Sequence, residues 1–170
     1  EACEEREVLV QQIQSSVSDS KALKECWEKT LEDKENGYCQ GPFYNIADVS
    51  KHVASDAWVP TPRWPLVQGD KVRAIDAGNM GRVNDLAGMT ERLQLPSTDL
   101  TVPSIRCLLD HLGPRCQGAS KLRAWVIDEE AAYRGIGVHP SQKKFSVVAM
   151  KEPGSDRVAY FVMIGHAFGW

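Results

Sequence analysis

The sequence predicts an α+β fold in which helices come first and strands follow. Three observations indicate this order. Apolar residues recur near a 3.6-residue period in residues 4–34, two β-like runs flank a Gly-Asp pair in residues 57–76, and the last third holds apolar runs separated by short turns. With 170 residues, 42% of them hydrophobic, the chain is long enough for one domain with its own hydrophobic core.

Residues 4–34 predict two helices. The first carries Leu9 and Ile13 at helical spacing, and the segment SVSDS then interrupts the pattern. Asp19 or Ser20 is placed to cap a second helix, because a side-chain oxygen there can accept a bond from the first free backbone N–H groups. The apolar stripe of this second helix consists of Leu23, Trp27 and Leu31.

The middle of the chain predicts turns, a short helix and a hairpin. ENGYCQGPF is rich in turn residues, and IADVSKHVAS fits one short helix. In WVPTPRWPLVQGDKVRAID a two-residue loop, Gly69-Asp70, separates the two runs, and glycine in first place favours a type II′ turn. Pro60, Pro62 and Pro65 indicate an edge strand or an entry loop.

One more helix and three more strands complete the prediction. TVPSIRCLLDHL predicts a helix with Pro103 in its first turn and an inward stripe of Ile105, Leu108, Leu109 and Leu112. KLRAWVID predicts a strand that ends at Asp128, and KKFSVVAMKEP and RVAYFVMIG predict two strands joined by the turn PGSD. We therefore expect a β-hairpin and an antiparallel sheet with a packing helix.

Charge divides the chain into two parts. Residues 1–36 hold ten acids and five bases, a net charge of −5, whereas residues 37–170 hold thirteen acids and fifteen bases, a net of +2. The expected organisation is an acidic helical segment over residues 1–36 and a mildly basic body over residues 37–170. Such a body permits contact with phosphates without requiring it.

Composition also narrows the class of protein. The five cysteines are odd in number and show no C-x-x-C spacing, so neither a zinc site nor a disulfide framework is expected, and the prediction is a reduced intracellular protein. No apolar run approaches the ~20 residues that a membrane-spanning helix needs.

The segment VIDEEAAYRGIGVHP carries the first functional motif: Asp128 closes an apolar run, and small residues and Tyr133 follow it. The segment resembles the first palm motif of the reverse transcriptase family, and the matching positions are Asp128, Ala132, Tyr133, Val138, His139 and Pro140. The resemblance implies that Asp128 is catalytic and holds Mg²⁺ or Mn²⁺, that Ala131 and Ala132 contact the triphosphate, and that Tyr133 lies beneath the incoming sugar. The alternative is that Asp128 only ends a strand and Tyr133 belongs to the core.

The second motif, QGDKVRAIDAGNMGRVND, resembles the fingers hairpin of the same family. Lys71 and Arg73 are two residues apart, so on a strand they point to one face about two rises of ~3.3 Å apart and can reach one polyphosphate. The resemblance makes Lys71 and Arg73 substrate-binding residues, with Asn84 as the loop asparagine. The family's aspartate is expected at Ala77, but this chain has Asp76 one place earlier. The alternative is an exposed hairpin with two solvated cations.

The third motif is the end of the chain, VMIGHAFGW. It resembles the P-F-G turn that opens the second palm motif in cellular retroelement polymerases, with Ala167 in place of the proline. The resemblance implies that Phe168 and Gly169 line the nucleotide site. The alternative is a strand that ends in a glycine turn.

Together the motifs resemble the fingers and the N-terminal half of the palm, over roughly residues 41–170, of a retroelement of the kind found in divergent protists. The implied activity is RNA-directed DNA polymerisation, which is nucleotidyl transfer to a primer 3′-hydroxyl. The implied partners are an RNA template, a DNA primer and dNTP, with no membrane and a nuclear or cytoplasmic location. One aspartate cannot build a two-metal site, and the family's paired aspartates would come after residue 170, so these residues alone should not polymerise.

Two alternatives stay open. One is an inactive retroelement remnant that binds nucleic acid or protein, with RNA contacts through Lys71, Arg73, Lys143 and Lys144. The other is an unrelated α+β enzyme in which His139 or His166 acts as a base with Asp128.

Overall fold

The computed structural model describes residues 2–16, 20–83, 98–112 and 132–166. The chain forms two compact units, the first made of residues 1–87 and 130–170 and the second of residues 88–129. The division at residue 36, drawn from charge, stays a prediction about sequence organisation.

The first unit is built around a five-stranded sheet with the order β1-β5-β4-β2-β3. The strands are β1 (Cys39–Phe43), β2 (Thr61–Gln68), β3 (Lys71–Asp76), β4 (Val147–Lys151) and β5 (Val158–Met163). The pairs β1–β5, β4–β5 and β2–β3 are antiparallel, but β2 and β4 are parallel. The expected antiparallel sheet is therefore wrong at one pair. A tight turn fixes antiparallel pairing only within a hairpin, and a long stretch of chain separates β2 from β4.

Helices cover both faces of this sheet. The described residues of the first unit include three α-helices, α1 (Ala2–Ser15), α2 (Ser20–Glu35) and α3 (Ile46–Val53), and all three confirm their predictions. Helix α2 packs on one face, whereas α1 and α3 pack on the other. Strands β4 and β5 lie between these layers and are buried almost throughout, which explains why their sequences are continuous apolar runs rather than alternating ones.

Two free thiols belong to the core beneath α2. Cys26 and Cys39 are buried, and burial raises the pKa of each to about 11. Both thiols therefore stay protonated near neutral pH, where they act as small apolar groups. Strand β1, which contains Cys39, was predicted only as part of a turn-rich segment.

The β2–β3 hairpin turns at Gly69-Asp70, as predicted. Gly69 adopts a φ of +58°, and a type II′ turn requires a positive φ at its first central position. Pro60 precedes β2, as the interpretation of an entry loop predicted, but for Pro62 and Pro65 the prediction is corrected, because both lie within β2, which is an internal strand. Pairing of β2 with β4 stops at Pro62. Pro65 lies beyond this pairing, so the backbone N–H that proline lacks is not needed on that side.

The described part of the second unit is one helix, α4 (Thr98–Leu112). Pro103 is its sixth residue and not in the first turn, and Ile105 and Leu109 are 45% and 46% exposed, so the inward stripe predicted for them is wrong. Periodicity identifies an apolar stripe, but burial also requires a neighbouring element that covers it. The side chains of Leu108 and Leu112 and the predicted strand KLRAWVID lie outside the described residues.

Candidate functional site

Lys71 and Arg73 lie on β3 and point away from the core. The residue between them, Val72, is buried, so the two cations share the opposite, exposed face, as the alternation predicted. Among the residues that the structure describes, neither cation has an ion-pair partner. Helix α2 supports the strand from behind, where the Lys29 ammonium donates a hydrogen bond to the Val72 carbonyl.

The cross-strand register shows what surrounds these cations. Arg73 is directly opposite Leu66 and Lys71 is opposite Gln68, and directly opposed residues point to the same face of a sheet. Leu66 is 42% exposed. Within the described residues, the outer face of the hairpin therefore combines two cations that have no ion-pair partner with the apolar side chain of Leu66. This combination suits a ligand that carries both phosphates and flat apolar groups.

The remaining predicted site residues fall largely outside the described part of the chain. Ala132 and Tyr133 begin a 3-10 helix, Ala132–Gly135, but only its backbone is described at these two residues. Asp128, Ala131, Phe168 and Gly169 lie outside the described residues, as does Asn84. The convergence of Asp128 with the hairpin cations therefore stays a prediction.

The structure contains a buried charge network that the sequence analysis missed. Arg63 on β2 is fully buried, and its Nε and Nη2 atoms donate to the two carboxylate oxygens of Asp76 on β3, at 2.6 and 2.9 Å. Burial by itself lowers the pKa of the Arg63 guanidinium, but the charge and hydrogen bonds of Asp76 and the charge of Asp33 outweigh it, so the net shift is upward. Arg63 therefore stays charged inside the core.

The network continues from β2 to helix α2 and to the 3-10 helix. Arg63 Nη1 donates to Thr30 Oγ1 at 3.1 Å and lies 3.4 Å from Asp33 Oδ2. The same Asp33 oxygen accepts a bond from Arg134 Nη2 at 2.9 Å. Two arginines and two aspartates thus balance in charge, which is the condition under which buried ions are tolerated.

The hairpin register was the signal that could have revealed this pair. Arg63 lies six residues before Gly69 and Asp76 six residues after Asp70, so the two-residue turn places them directly opposite each other. Asp76 is therefore the counter-ion of Arg63. At Ala77, where the resemblance led us to expect an aspartate, the backbone N–H donates to the Pro62 carbonyl at 2.9 Å and extends the hairpin pairing.

His139, offered as a possible catalytic base, has a structural role. Its Nδ1 atom lies 2.8 Å from Ser141 Oγ and accepts a bond from the Ser141 N–H at 3.3 Å, which caps the 3-10 helix Pro140–Phe145.

Within that helix the Lys144 ammonium lies 4.9 Å from the centre of the Phe145 ring. Burial, together with the charge of Lys143, lowers the pKa of His52 on α3.

The described residues contain neither a group of metal ligands nor a helix that could span a membrane. Within residues 2–16, 20–83, 98–112 and 132–166, no three His, Cys, Asp or Glu side chains form a group that could hold a metal ion. In the same ranges, no helix is both long and apolar enough to span a bilayer.

Comparison with known proteins provides no relative. No protein-family model matches this chain, and no curated protein or solved structure matches it either.

Proposed function

We propose that this chain is the fingers and the N-terminal half of the palm of an RNA-directed DNA polymerase of retroelement origin. Its partners would be an RNA template, a DNA primer and dNTP. The observation that carries the proposal is the outward-facing pair Lys71 and Arg73, which precedes the Asp128-Tyr133 and Phe168-Gly169 motifs in the order found in reverse transcriptases.

The hairpin face supports this function on chemical grounds. An incoming nucleotide and a template strand both present phosphates beside flat bases, and the exposed face offers Lys71 and Arg73 beside Leu66. Phosphoryl transfer depends chiefly on positioning and on charge stabilisation around the phosphates. Cations without competing carboxylates are suited to that task.

The resemblance and the described residues together supply one ligand for magnesium. Asp128 is the single ligand that the resemblance assigns, and the described residues contribute no cluster of ligands to join it. Two-metal catalysis needs carboxylates that hold two ions ~3.5–4 Å apart. The proposal therefore treats the chain as the front part of a longer enzyme, inactive by itself.

The test is primer extension by the full-length protein on an RNA template with Mg²⁺. Asp128→Ala should abolish extension, whereas Asp156→Ala, which removes a carboxylate that is 96% exposed, should leave it unchanged. Extension that survives Asp128→Ala would overturn the assigned role. Extension that is lost equally in both variants would show that the loss is not specific to Asp128.

A second candidate function is a non-catalytic domain that binds nucleic acid. The observation that favours it is the lack, among the described residues, of any group of metal ligands beside an exposed basic hairpin. It predicts salt-sensitive RNA binding without extension in the full-length protein. If neither RNA nor a protein partner is retained, this candidate fails as well.

A further inference from the structure

Two segments of the chain cross at one point beside the sheet. The first, residues 134–138, follows the Asp128-Tyr133 motif, and the second, residues 164–166, precedes Phe168-Gly169. The Val138 N–H donates to the Ile164 carbonyl at 2.7 Å, and the His166 N–H donates to the Ile136 carbonyl at 2.9 Å. These bonds flank an antiparallel bridge between Gly137 and Gly165.

The crossing is too close for a side chain at Gly165. A Cβ atom added there would lie 2.0 Å from the Arg134 carbonyl oxygen, well inside van der Waals contact. The obstacle is backbone, so it cannot rotate away as a flexible side chain would. Glycine at this position is therefore what lets the two segments approach each other.

Arg134 joins this crossing to the buried charge network. Its side chain is 11% exposed, and its Nη1 atom donates to the His166 carbonyl at 3.3 Å while Nη2 donates to Asp33 on α2. One guanidinium thus contacts both the second segment and a helix. Lysine could not reproduce both contacts in one plane, because its ammonium is a single point of charge on a flexible stem.

The contact between Arg134 and Asp33 is continued by Arg63. The Asp33 oxygen that accepts from Arg134 also lies 3.4 Å from Arg63 Nη1, and Arg63 is itself held by two bonds to buried Asp76. The crossing is therefore anchored to α2, β2 and β3 together. A change at Arg134 acts on two segments that the sequence assigns to the same nucleotide site.

We infer that Arg134 is a positioning residue for nucleotide binding: it holds the segment that follows Asp128 against the segment that precedes Phe168, and it fixes both to α2 through Asp33. The inference rests on the proposed polymerase function. In the sequence these segments adjoin Ala132 and Tyr133 on one side and Phe168 on the other, the residues that the resemblance assigns to the triphosphate, sugar and base. Loss of Arg134 should therefore weaken dNTP binding more than it slows the chemical step.

The test uses steady-state primer extension by the full-length protein, well below the melting temperature of every variant. Arg134→Gln should raise KM for dNTP roughly tenfold or more, because small misplacements in a site cost up to about a hundredfold. Arg134→Lys, which keeps the charge beside Asp33, should show a smaller increase. The matched control Arg157→Gln, which removes an exposed arginine paired with Glu152, should behave as wild type.

Gly165→Ala provides an independent way to disturb the same crossing. It should raise KM for dNTP as Arg134→Gln does. In the double variant Arg134→Gln/Gly165→Ala the increase in KM should be smaller than the product of the two single increases, because both changes disrupt one contact. Arg157→Gln, which lies outside both segments of the crossing, is the control here as well and should leave KM unchanged. In the 170-residue chain, hydrogen exchange at the Val138 and His166 amides should become faster in Arg134→Gln.

Each failure has its own signature. Wild-type protein that does not extend a primer, or Asp128→Ala protein that does, overturns the polymerase proposal and this inference with it. If wild-type protein is active and Asp128→Ala protein is inactive, but Arg134→Gln has a normal KM for dNTP, the inference alone is overturned. A loss of activity in Arg134→Gln that follows only the unfolded fraction, with KM unchanged, also overturns it.

Discussion

Arg63 is the residue on which the interior charge balance of the first unit depends. Its guanidinium is completely buried and forms two bonds to Asp76, which is also buried. A buried pair adds little net stability relative to apolar residues, but removing one partner leaves an uncompensated charge in the core. The stability of the fold should therefore respond very differently to loss of one partner and to loss of both.

Arg63→Met should lower the free energy of unfolding by about 3–5 kcal/mol, because Asp76 is left charged and buried. The double variant Arg63→Met/Asp76→Leu should recover a large part of that loss. Urea denaturation followed by circular dichroism measures both, with Arg157→Met as the exposed control that should cost below about 1 kcal/mol. A double variant no more stable than the single one would contradict this account.

The sequence predicted the exposure of some side chains but not the contacts of others. The exposure of Lys71 and Arg73 followed from alternation along β3, because alternation is a property of the backbone alone. The network of Arg63, Asp33 and Arg134 could not be predicted in the same way. Asp33 and Arg134 are 101 residues apart in the chain, and their contact depends on packing that no local pattern encodes.

Among the elements, α3 shows how a short helix is specified by its ends. Asn45 precedes the helix in an extended conformation, and its side-chain oxygen accepts a bond from the Ala47 N–H at 2.9 Å. At the other end Ala54 adopts a left-handed φ of +53°. Val49 and Val53 then fix the helix to the sheet by burial.

Asn45→Ala should destabilise the protein by about 1 kcal/mol, because the side-chain acceptor of the first turn is lost. Asn45→Asp should retain most of the stability, since aspartate caps as well as asparagine does. Thermal unfolding of these variants beside Asn79→Ala, an exposed asparagine outside any helix or strand, checks the prediction. Equal melting temperatures for Asn45→Ala and wild type would refute it.

Elements with strong local signals were predicted, and those defined by distant contacts were not. The three N-terminal helices and the β2–β3 and β4–β5 pairs follow from periodicity and turn chemistry. Strand β1 was missed because CQGPF reads as a turn, and it becomes a strand by pairing with β5, far along the chain. The parallel direction of β2 and β4 likewise depends on tertiary packing.

For the whole molecule, charge distribution is the property most directly linked to a nucleic-acid partner. Residues 1–36 carry a net charge of −5 and the remainder carries +2, so binding cannot depend on bulk attraction. Under the proposed function, a few local cations must supply the contacts, and we expect Lys71 and Arg73, an exposed pair on the hairpin, to be among them.

Single-stranded RNA should bind the 170-residue chain with a salt dependence to which these two cations contribute. Each phosphate contact on a single strand contributes about 0.7 to the slope of log K against log salt concentration, so Lys71→Gln/Arg73→Gln should reduce the slope by roughly 1.4. The control Lys24→Gln/Lys34→Gln removes two exposed lysines of α2 and should leave the slope unchanged. Equal slopes for the two double variants would contradict a role for the hairpin.

At the same scale the sequence predicted the α+β class and the helices at the N-terminus, because both depend on local patterns summed along the chain. The predicted order of helices before strands is wrong, since β1 precedes α3 and the β2–β3 hairpin precedes α4. The candidate site was predicted only in its hairpin half. Asp128 and Phe168 are placed by resemblance and not by geometry, and their convergence with Lys71 and Arg73 stays a prediction.

The spacing of the charged partners along the chain has a consequence for biosynthesis. Arg63 and Asp76 are separated by 13 residues, Asp33 and Arg63 by 30, and Asp33 and Arg134 by 101. Shorter loops cost less entropy to close, so the pair Arg63–Asp76 can form soon after the hairpin leaves the ribosome. The contact between Asp33 and Arg134 forms last of the three. Until then the emerging polypeptide holds Asp33 with only one of its two arginines, and the crossing at Gly165 closes only after residues 164–166 have emerged.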